Sequence, residues 1–490
     1  MHMRVLADRS SGRVPAGPDG SEQRTVVVIG AGITGLVAAY ELRRRGLDVM
    51  LYEASRQAGG NLRTSSVDGF LAEHGAQSFV RTQELDDLIS RLGLSDDVVE
   101  CAPNAQRTYL ARDNRLHLLP HSLPSLVRSR LLSAKARLRL LFEPFIPRNA
   151  SELDESVGSF VSRRCGREML DYIVAPIIRS SCGGDVMALS MAQLFPREHR
   201  LERKYGSLGR SLLEARFRSR RLKPDGIELP ATRAVGFDSK VASFRDGMQT
   251  LPNALERALK GAVRLNCPAR LLHRHDARWV IEAGPDGVSK THTVDAVILA
   301  VPAHGLTAME LPAEVRRYAG SIEHVEHPPV STLTLGFRRE DILHPFGAAK
   351  ILVPESQCRT VSGVQINSAM FPGRAPEGHV TITCMAGGTG APDIARLDTN
   401  ELVDRTISEL APILGVRGYP VFRKHVHWVR GVPQMSVGFS EVKRAADAVE
   451  LLNPGLYLAG SFRSGQLVGQ CVEGGQQVAH RVATYLTRAG

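Results

Sequence analysis

The chain has 490 residues, enough for two or three domains with sizeable cores. Apolar residues make up 43%, which excludes a disordered polymer. The 62 Lys and Arg against 51 Asp and Glu leave a net charge of +11, which asks for an acidic partner: nucleic acid, an anionic membrane or an anionic small molecule. Seven cysteines, an odd number with no C-x-x-C pair, speak against a disulfide framework or a zinc site and for a reducing compartment. His425 and His427 are the closest histidine pair, and an i, i+2 pair on a strand is expected as a surface feature, so no metal is predicted. No apolar run approaches the ~20 residues that span a bilayer. A cytoplasmic protein is expected, with any membrane contact peripheral, on the inner face of the cytoplasmic membrane.

Residues 1–24 are rich in Arg, Ser, Gly and Pro and read as a disordered leader. The β-branched run of residues 25–29 predicts a buried parallel strand. It enters Gly30, Ala31, Gly32, Ile33, Thr34 and Gly35, then a helix-period segment that Gly46 ends. Residues 48–53 read as a second strand ending on Glu53. Strand, glycine turn, helix, strand and acid are the full setting of a dinucleotide site. Gly30 permits the tight turn, Gly32 lets backbone N–H groups approach a pyrophosphate, and Gly35 lets helix and strand pack closely. The phosphates meet a helix N-terminus, and Glu53 accepts from ribose hydroxyls. Gly59, Gly60 and Arg63 follow, an arrangement that suits a larger cofactor, with Arg63 opposing the pyrophosphate charge; its E-A-(x)4-G-G-x-x-R-T pattern resembles flavoproteins of the amine oxidase and desaturase superfamily, which implies FAD. No second G-x-G-x-x-G serves NAD(P)H; the glycines at 387, 388 and 390 are read as a loop.

Residues 295–302 predict another buried strand ending beside the cofactor. Residues 455–461 predict a strand with a small-residue turn at Gly460, followed by a helix from about 470 to 487. The pattern resembles the closing unit of amine oxidase superfamily flavoproteins, which implies a return to the FAD domain with a helix N-terminus aimed at the flavin ring. Cys471, nearby, is expected to be an ordinary buried thiol, so the flavin is non-covalent.

The chain resembles the oxygen-dependent protoporphyrinogen/coproporphyrinogen oxidase family of FAD-dependent enzymes, within the amine oxidase superfamily. The stretches that carry this are residues 68–79, 245–251, 327–330, 346–347, 352–354 and 371–378, then Trp428 and residues 432–434. The resemblance implies an α/β fold: a Rossmann-like FAD domain (25–85, 240–305 and 425–490), a helical insert (86–230) for membrane contact and substrate entry, and a β-rich substrate domain (306–424, with parts of 231–245). It implies FAD contacts at residues 30–35, Glu53, Gly60, Arg63, Gly75, Ala76, Gln77, Ser78, Ala269, Trp428, Gly460, Gln466, Leu467 and Val468. Arg107 matches the family arginine that pairs a substrate propionate, and a guanidinium fork suits a carboxylate. The implied reaction is stepwise dehydrogenation of protoporphyrinogen IX or coproporphyrinogen III, with O2 as acceptor and H2O2 as product. No protein base is obligatory, because aromatisation drives the chemistry. Leu352, Met370 and Phe371 are candidate walls of a slot for the flat substrate. Implied partners are the porphyrinogen, O2, an anionic membrane surface and a second copy in a homodimer.

Two departures stand out. Ser180 replaces a glycine near the substrate and Cys182 replaces a tyrosine, which would narrow the slot or change its polarity. An amine oxidase or carotenoid-desaturase-type flavoenzyme stays open, as does a non-catalytic flavin-binding protein of haem assembly. Arg107 argues against the amine site.

The charge is uneven. Residues 107–150 and residues 197–223 each carry a clear basic excess, and the rest of the chain is slightly acidic. Val127, Leu131, Ala134, Leu138, Leu141 and Phe145 recur at helical spacing between basic flanks of Arg128, Lys135 and Arg139 on one side and Arg130 and Arg137 on the other. That predicts either a helix lying on an anionic membrane or a solvated helix of the domain. Nucleic acid is not expected: aromatics are 5% and do not interleave with the arginines.

Overall fold

The computed structural model describes residues 24–103, 107–120, 123–129, 131–149, 151, 153–211, 241–285, 287–345, 350–356 and 360–488. The leader expected at residues 1–24 lies outside them except for Arg24, as do Phe346, Gly347, Arg130 and the second basic segment beyond residue 211.

A five-stranded parallel sheet runs in the order Val263–Arg264, Asp48–Tyr52, Thr25–Ile29, Ala296–Leu299, Leu456–Leu458. Its strands come from the start, middle and end of the chain, as the doubly-wound reading requires. Thr25–Ile29 is buried throughout, which is why it reads as an unbroken β-branched run rather than an alternating one. One face is covered by the helices Ile33–Arg44 and Val468–Arg488. A β-carbon on Gly475 would lie 2.7 Å from the Thr34 carbonyl oxygen, so the closing helix crosses the first at a glycine. The other face carries an antiparallel three-stranded sheet, Ala269–His275, Arg278–Ala283 and Lys290–Val294, with Trp279 fully buried beneath it.

A seven-stranded sheet forms the second unit, ordered Phe422–Trp428, Val330–Arg338, His379–Gly387, Val361–Gln365, Lys350–Leu352, Thr108–Arg112, Arg115–Leu118. One face is a dry core of Leu333, Leu335, Ile351, Val364 and Ile382 packed by the helix Thr399–Leu414. The last two strands come from the segment expected to be helical insert. Their hairpin turns at Asp113 and Asn114, both with positive φ, a two-residue turn that matches strand twist.

The remaining insert is helical but interrupted. The spacing from Val127 to Phe145 predicts one helix; the structure has Leu123–Arg128, then Ala134–Leu141, then a 3-10 turn Glu143–Phe145. Ser133 causes the break: its hydroxyl oxygen accepts from Ala136 N–H at 3.2 Å and so starts a new helix. Pro144 opens the tight turn. Leu131 is consequently buried, whereas Leu138, Leu141, Phe142 and Phe145 are each more than half exposed.

The two sheets are joined by a buried clasp. Arg374, 1% exposed, donates to Arg245 O at 2.9 Å, Ser243 Oγ at 2.8 Å and Phe244 O at 2.8 Å. Glu73 accepts from Thr64 Oγ1 at 2.6 Å and from Met248 N–H at 2.9 Å. Burial pushes the Glu73 carboxyl up to about 7, against the pull of those two hydrogen bonds and of the Arg374 charge. A carboxyl raised on folding contributes stability that is complete below its unfolded value and is lost as pH rises to about 7. The melting temperature of wild type relative to Glu73→Gln should therefore fall between pH 4.5 and 7. Parallel melting curves at every pH would refute that assignment.

Candidate active site

The glycine turn gives each glycine a separate duty. Gly30 has φ +102°, and a β-carbon there would meet the Ala300 carbonyl oxygen at 2.6 Å. At Gly35 it would lie 2.0 Å from the Gly30 oxygen, so only glycine lets the helix seat on the strand. At Gly32 it would meet nothing within 4 Å. Gly32 is also the N-cap of Ile33–Arg44, and no side chain caps that terminus. Ala31, Ile33 and Thr34 are buried around it. The space beside Gly32 and the uncapped N–H groups form a cradle for an anion.

Glu53 closes the cradle. Its Oε2 accepts from Ala31 N–H at 2.7 Å and its Oε1 from Ser55 N–H at 2.8 Å, which fixes the carboxylate at the end of its strand. Ala269 lies near this acid through the chain before it: Cys267 N–H donates to Glu53 O at 2.8 Å and Asn266 N–H to Ser55 O at 3.0 Å. Gly60 has φ +60°, and a β-carbon there would approach the Gly32 Cα at 3.3 Å. Arg63 donates through Nη2 to Ser55 Oγ at 3.3 Å, while its buried Nε has no partner. An orphaned guanidinium donor beside an anion cradle fits a pyrophosphate. The residues present therefore suit a dinucleotide.

Gly75, Ala76, Gln77 and Ser78 lead into the short strand Phe79–Val80, which pairs with Val241–Phe244. Trp428 Nε1 donates to His74 O at 2.9 Å and ties the edge strand of the seven-stranded sheet to that segment. Burial, then the Lys424 and Arg63 charges, hold His74 below its ordinary value. Gln77 Oε1 accepts from Asn367 Nδ2 at 2.8 Å. Asn367 is 3% exposed, and its Oδ1 has no partner. Gln365, two residues earlier, is half-buried with an orphaned Oε1. These two oxygens are acceptors awaiting donors.

At the far end, Gly460 (φ +122°) starts the turn Ser461–Ser464, and Gln466 Nε2 donates to Pro433 O. Leu467 is half exposed and Val468 opens the closing helix. Cys471 Sγ sits 3.3 Å from Gly465 O, and burial pushes its thiol up to about 11, so it stays protonated and unreactive.

The substrate-side expectations scatter more. Arg107 is exposed, immediately before the strand whose Thr108 pairs Lys350. Leu352 is buried in a cluster with Leu110, Ile173 and Ile177. Met370 and Phe371 belong to a different cluster with Cys101, and the Arg374 guanidinium lies 5.4 Å from the Phe371 ring centre. Leu352 and the Met370–Phe371 pair thus belong to different clusters. Ser180 packs on the sheet, since a β-carbon on Gly363 would be 2.7 Å from its own, and its hydroxyl donates back to Ile177 O at 3.0 Å. The Cys182 thiol turns to Ile178 O at 3.4 Å, and burial pushes it up to about 11. Both departures from the family pattern therefore spend their polar atoms within their own helix. Thr389 N–H donates to Gly183 O at 2.8 Å, so the loop read at 387–390 holds for Gly388 and Gly390, which follow the strand end at Gly387 and clasp that helix.

The description of the flavin-containing amine oxidoreductase family matches residues 33–483, and the chain belongs to that family. It is an FAD-dependent flavoprotein of mixed α/β fold. Its similarity is to porphyrinogen oxidases in particular. It is 32% identical over 487 residues to mitochondrial protoporphyrinogen oxidase of Nicotiana tabacum, covering 95% of this chain and 96% of that one. It is 25% identical to coproporphyrinogen III oxidase of Bacillus subtilis (strain 168), covering 95% and 99%. A solved structure from Exiguobacterium sp. 255-15 superposes with TM-score 0.77 at 22% identity over 96% of this chain and 100% of that one, which shows the shared fold.

The glycine duties give a paired test. Gly32→Ala should fold with an unchanged apo melting temperature and bind FAD at least tenfold more weakly, since its β-carbon enters the cradle alone. Gly35→Ala should instead destabilise the apoprotein by about 2–3 kcal/mol or more, through overpacking against backbone. FAD titration and apoprotein melting check both; equal effects of the two substitutions would refute the division.

Proposed function

We propose that this chain dehydrogenates a porphyrinogen, protoporphyrinogen IX or coproporphyrinogen III, to the porphyrin in haem biosynthesis, with O2 as acceptor and H2O2 as product. The observation that carries this is the Gln77–Asn367 link, which joins the segment bearing the unpartnered Asn367 and Gln365 oxygens to residues 75–78, the stretch expected at the cofactor. Bound FAD supplies the two-electron acceptor. The porphyrinogen loses a hydride from a bridging carbon and a proton from a pyrrole nitrogen in each of three cycles. Its pyrrole N–H groups are the donors that Asn367 Oδ1 and Gln365 Oε1 lack. Arg107 pairs a propionate at the rim. The chain's residues act by binding and orienting, and the driving force is aromatisation. The porphyrin oxidase names of the similar proteins support this over an amine oxidase.

The test is direct. Air-exposed protein with FAD and either porphyrinogen should generate porphyrin fluorescence and peroxide. A flavin left oxidised by both substrates without air would sink the reading. Arg107→Ala should raise KM about 10- to 150-fold, the 1.5–3 kcal/mol of a charged hydrogen bond; an unchanged KM removes Arg107 from the site.

We further propose that the protein is cytoplasmic and sits peripherally on an anionic membrane through the helical insert, and that it acts as a homodimer. Among the described residues no helix is long and apolar enough to cross a membrane. Leu138, Leu141, Phe142 and Phe145 stand exposed beside Lys135, Arg137 and Arg139, an apolar tip with a basic margin. Wild-type protein should float with anionic vesicles. Leu138→Ser with Phe145→Ser should weaken flotation at least tenfold, given the apolar area lost. Equal flotation would refute the surface, and gel filtration with light scattering checks the dimer.

A further inference from the structure

Across the middle of the seven-stranded sheet, strand register lines up Lys424, Thr334, Thr383, Gln365, Lys350 and Thr108 on one face. Thr334 and Thr383 are buried and satisfy each other through hydroxyls 3.0 Å apart. Lys350 is different. It is half-buried on a three-residue strand, and among the described residues no carboxylate pairs with it. Burial pushes its ammonium down to about 8, and no anion opposes that. Its two cross-strand partners are informative: Gln365 on one side has an orphaned oxygen, and Thr108 on the other directly follows Arg107.

A lysine held this way loses hydration without gaining a counter-charge. The cheapest remedy is an anion brought by a ligand. Arg107 immediately precedes Thr108, the cross-strand partner of Lys350. Leu352 is two residues from Lys350 on the same side of its strand, in the apolar cluster with Leu110 and Ile177.

We propose that Lys350 is a second carboxylate-binding residue of the substrate site, favouring the porphyrinogen with more carboxylate side chains. This rests on the porphyrinogen reading above. Coproporphyrinogen III carries four propionates and protoporphyrinogen IX two, so a second cation on the rim discriminates between them. Lys350 takes no part in hydride or proton removal, so its contribution is to binding.

The test compares wild type, Lys350→Met and Lys350→Arg with both porphyrinogens under air, after melting temperature and FAD content confirm folding. Lys350→Met should raise KM for coproporphyrinogen about tenfold and for protoporphyrinogen no more than about threefold, with kcat within about twofold, the loss expected of one charged contact. Lys350→Arg should restore most of the difference. An unchanged coproporphyrinogen KM, or equal rises for both substrates, overturns the proposal. If wild type oxidises neither compound, the functional reading fails on its own. Titration with coproporphyrin III, followed by its Soret shift, then still reports on Lys350: weaker binding by the Met variant supports the anion site and equal binding overturns it.

Discussion

The Arg374 guanidinium holds the two halves of the molecule in register. It projects from the stretch before the strand His379–Gly387 and donates to three oxygens of residues 243–245, which belong to the dinucleotide unit. Asn367 lies just upstream, and its amide reaches Gln77. Without Arg374, Phe244 O would keep Gly247 N–H at 3.0 Å, but the buried Ser243 Oγ would lose its guanidinium donor, a cost of about 1–3 kcal/mol for a buried group left unsatisfied. A fork of fixed geometry does this better than a lysine could. Glu73 secures the opposite side through Thr64 and Met248 N–H. The motifs that look most family-specific, at residues 68–79, 245–251 and 371–378, thus meet in one clasp. Their first role is to fix the polar face of the sheet against the cofactor cradle.

The cradle's own logic is negative space. Gly30 and Gly35 are glycines because backbone occupies the place of a side chain, while Gly32 is a glycine because nothing does. The first two are conditions of folding and the third is a condition of binding. The unpartnered Arg63 Nε belongs with the third kind. Orphaned polar atoms are costly in a finished interior. Those on Arg63, Asn367 and Gln365 lie where the cofactor and substrate readings call for a ligand partner.

Much of this was legible in the sequence. The strands at 25, 48, 296 and 456 and the two flanking helices follow from buried runs and glycine punctuation, because each lies in a continuous local pattern. The hairpin at Asp113 and Asn114 was missed: its strands are four and five residues long and sit in a segment whose basic charge dominates the reading. The single helix expected from Val127 to Phe145 failed because spacing alone ignores the Ser133 cap and Pro144. Lys350 gave no signal, since a lysine on a three-residue strand looks like any surface lysine until its partners across the sheet are known. Leu352, Met370 and Phe371 were grouped by chemistry, but the chain places them in separate clusters.

The net charge of +11 also takes a different meaning in three dimensions. Inside the insert, Arg164 is fully buried and donates to Glu202 at 2.6 Å, Glu143 at 2.9 Å and Gly206 O at 2.6 Å. Glu143 in turn accepts from Ser207 Oγ and from Leu208 and Gly209 N–H. Such a network adds little net stability over an apolar core, yet it dictates geometry. Here it fixes Glu143 inward, so its neighbours Phe142 and Phe145 must face outward. The charges buried here are balanced by their own carboxylates. Among the described residues, exposed basic side chains remain around that apolar tip and at Arg107, the two places where the proposed function calls for an acidic partner, a lipid headgroup and a propionate.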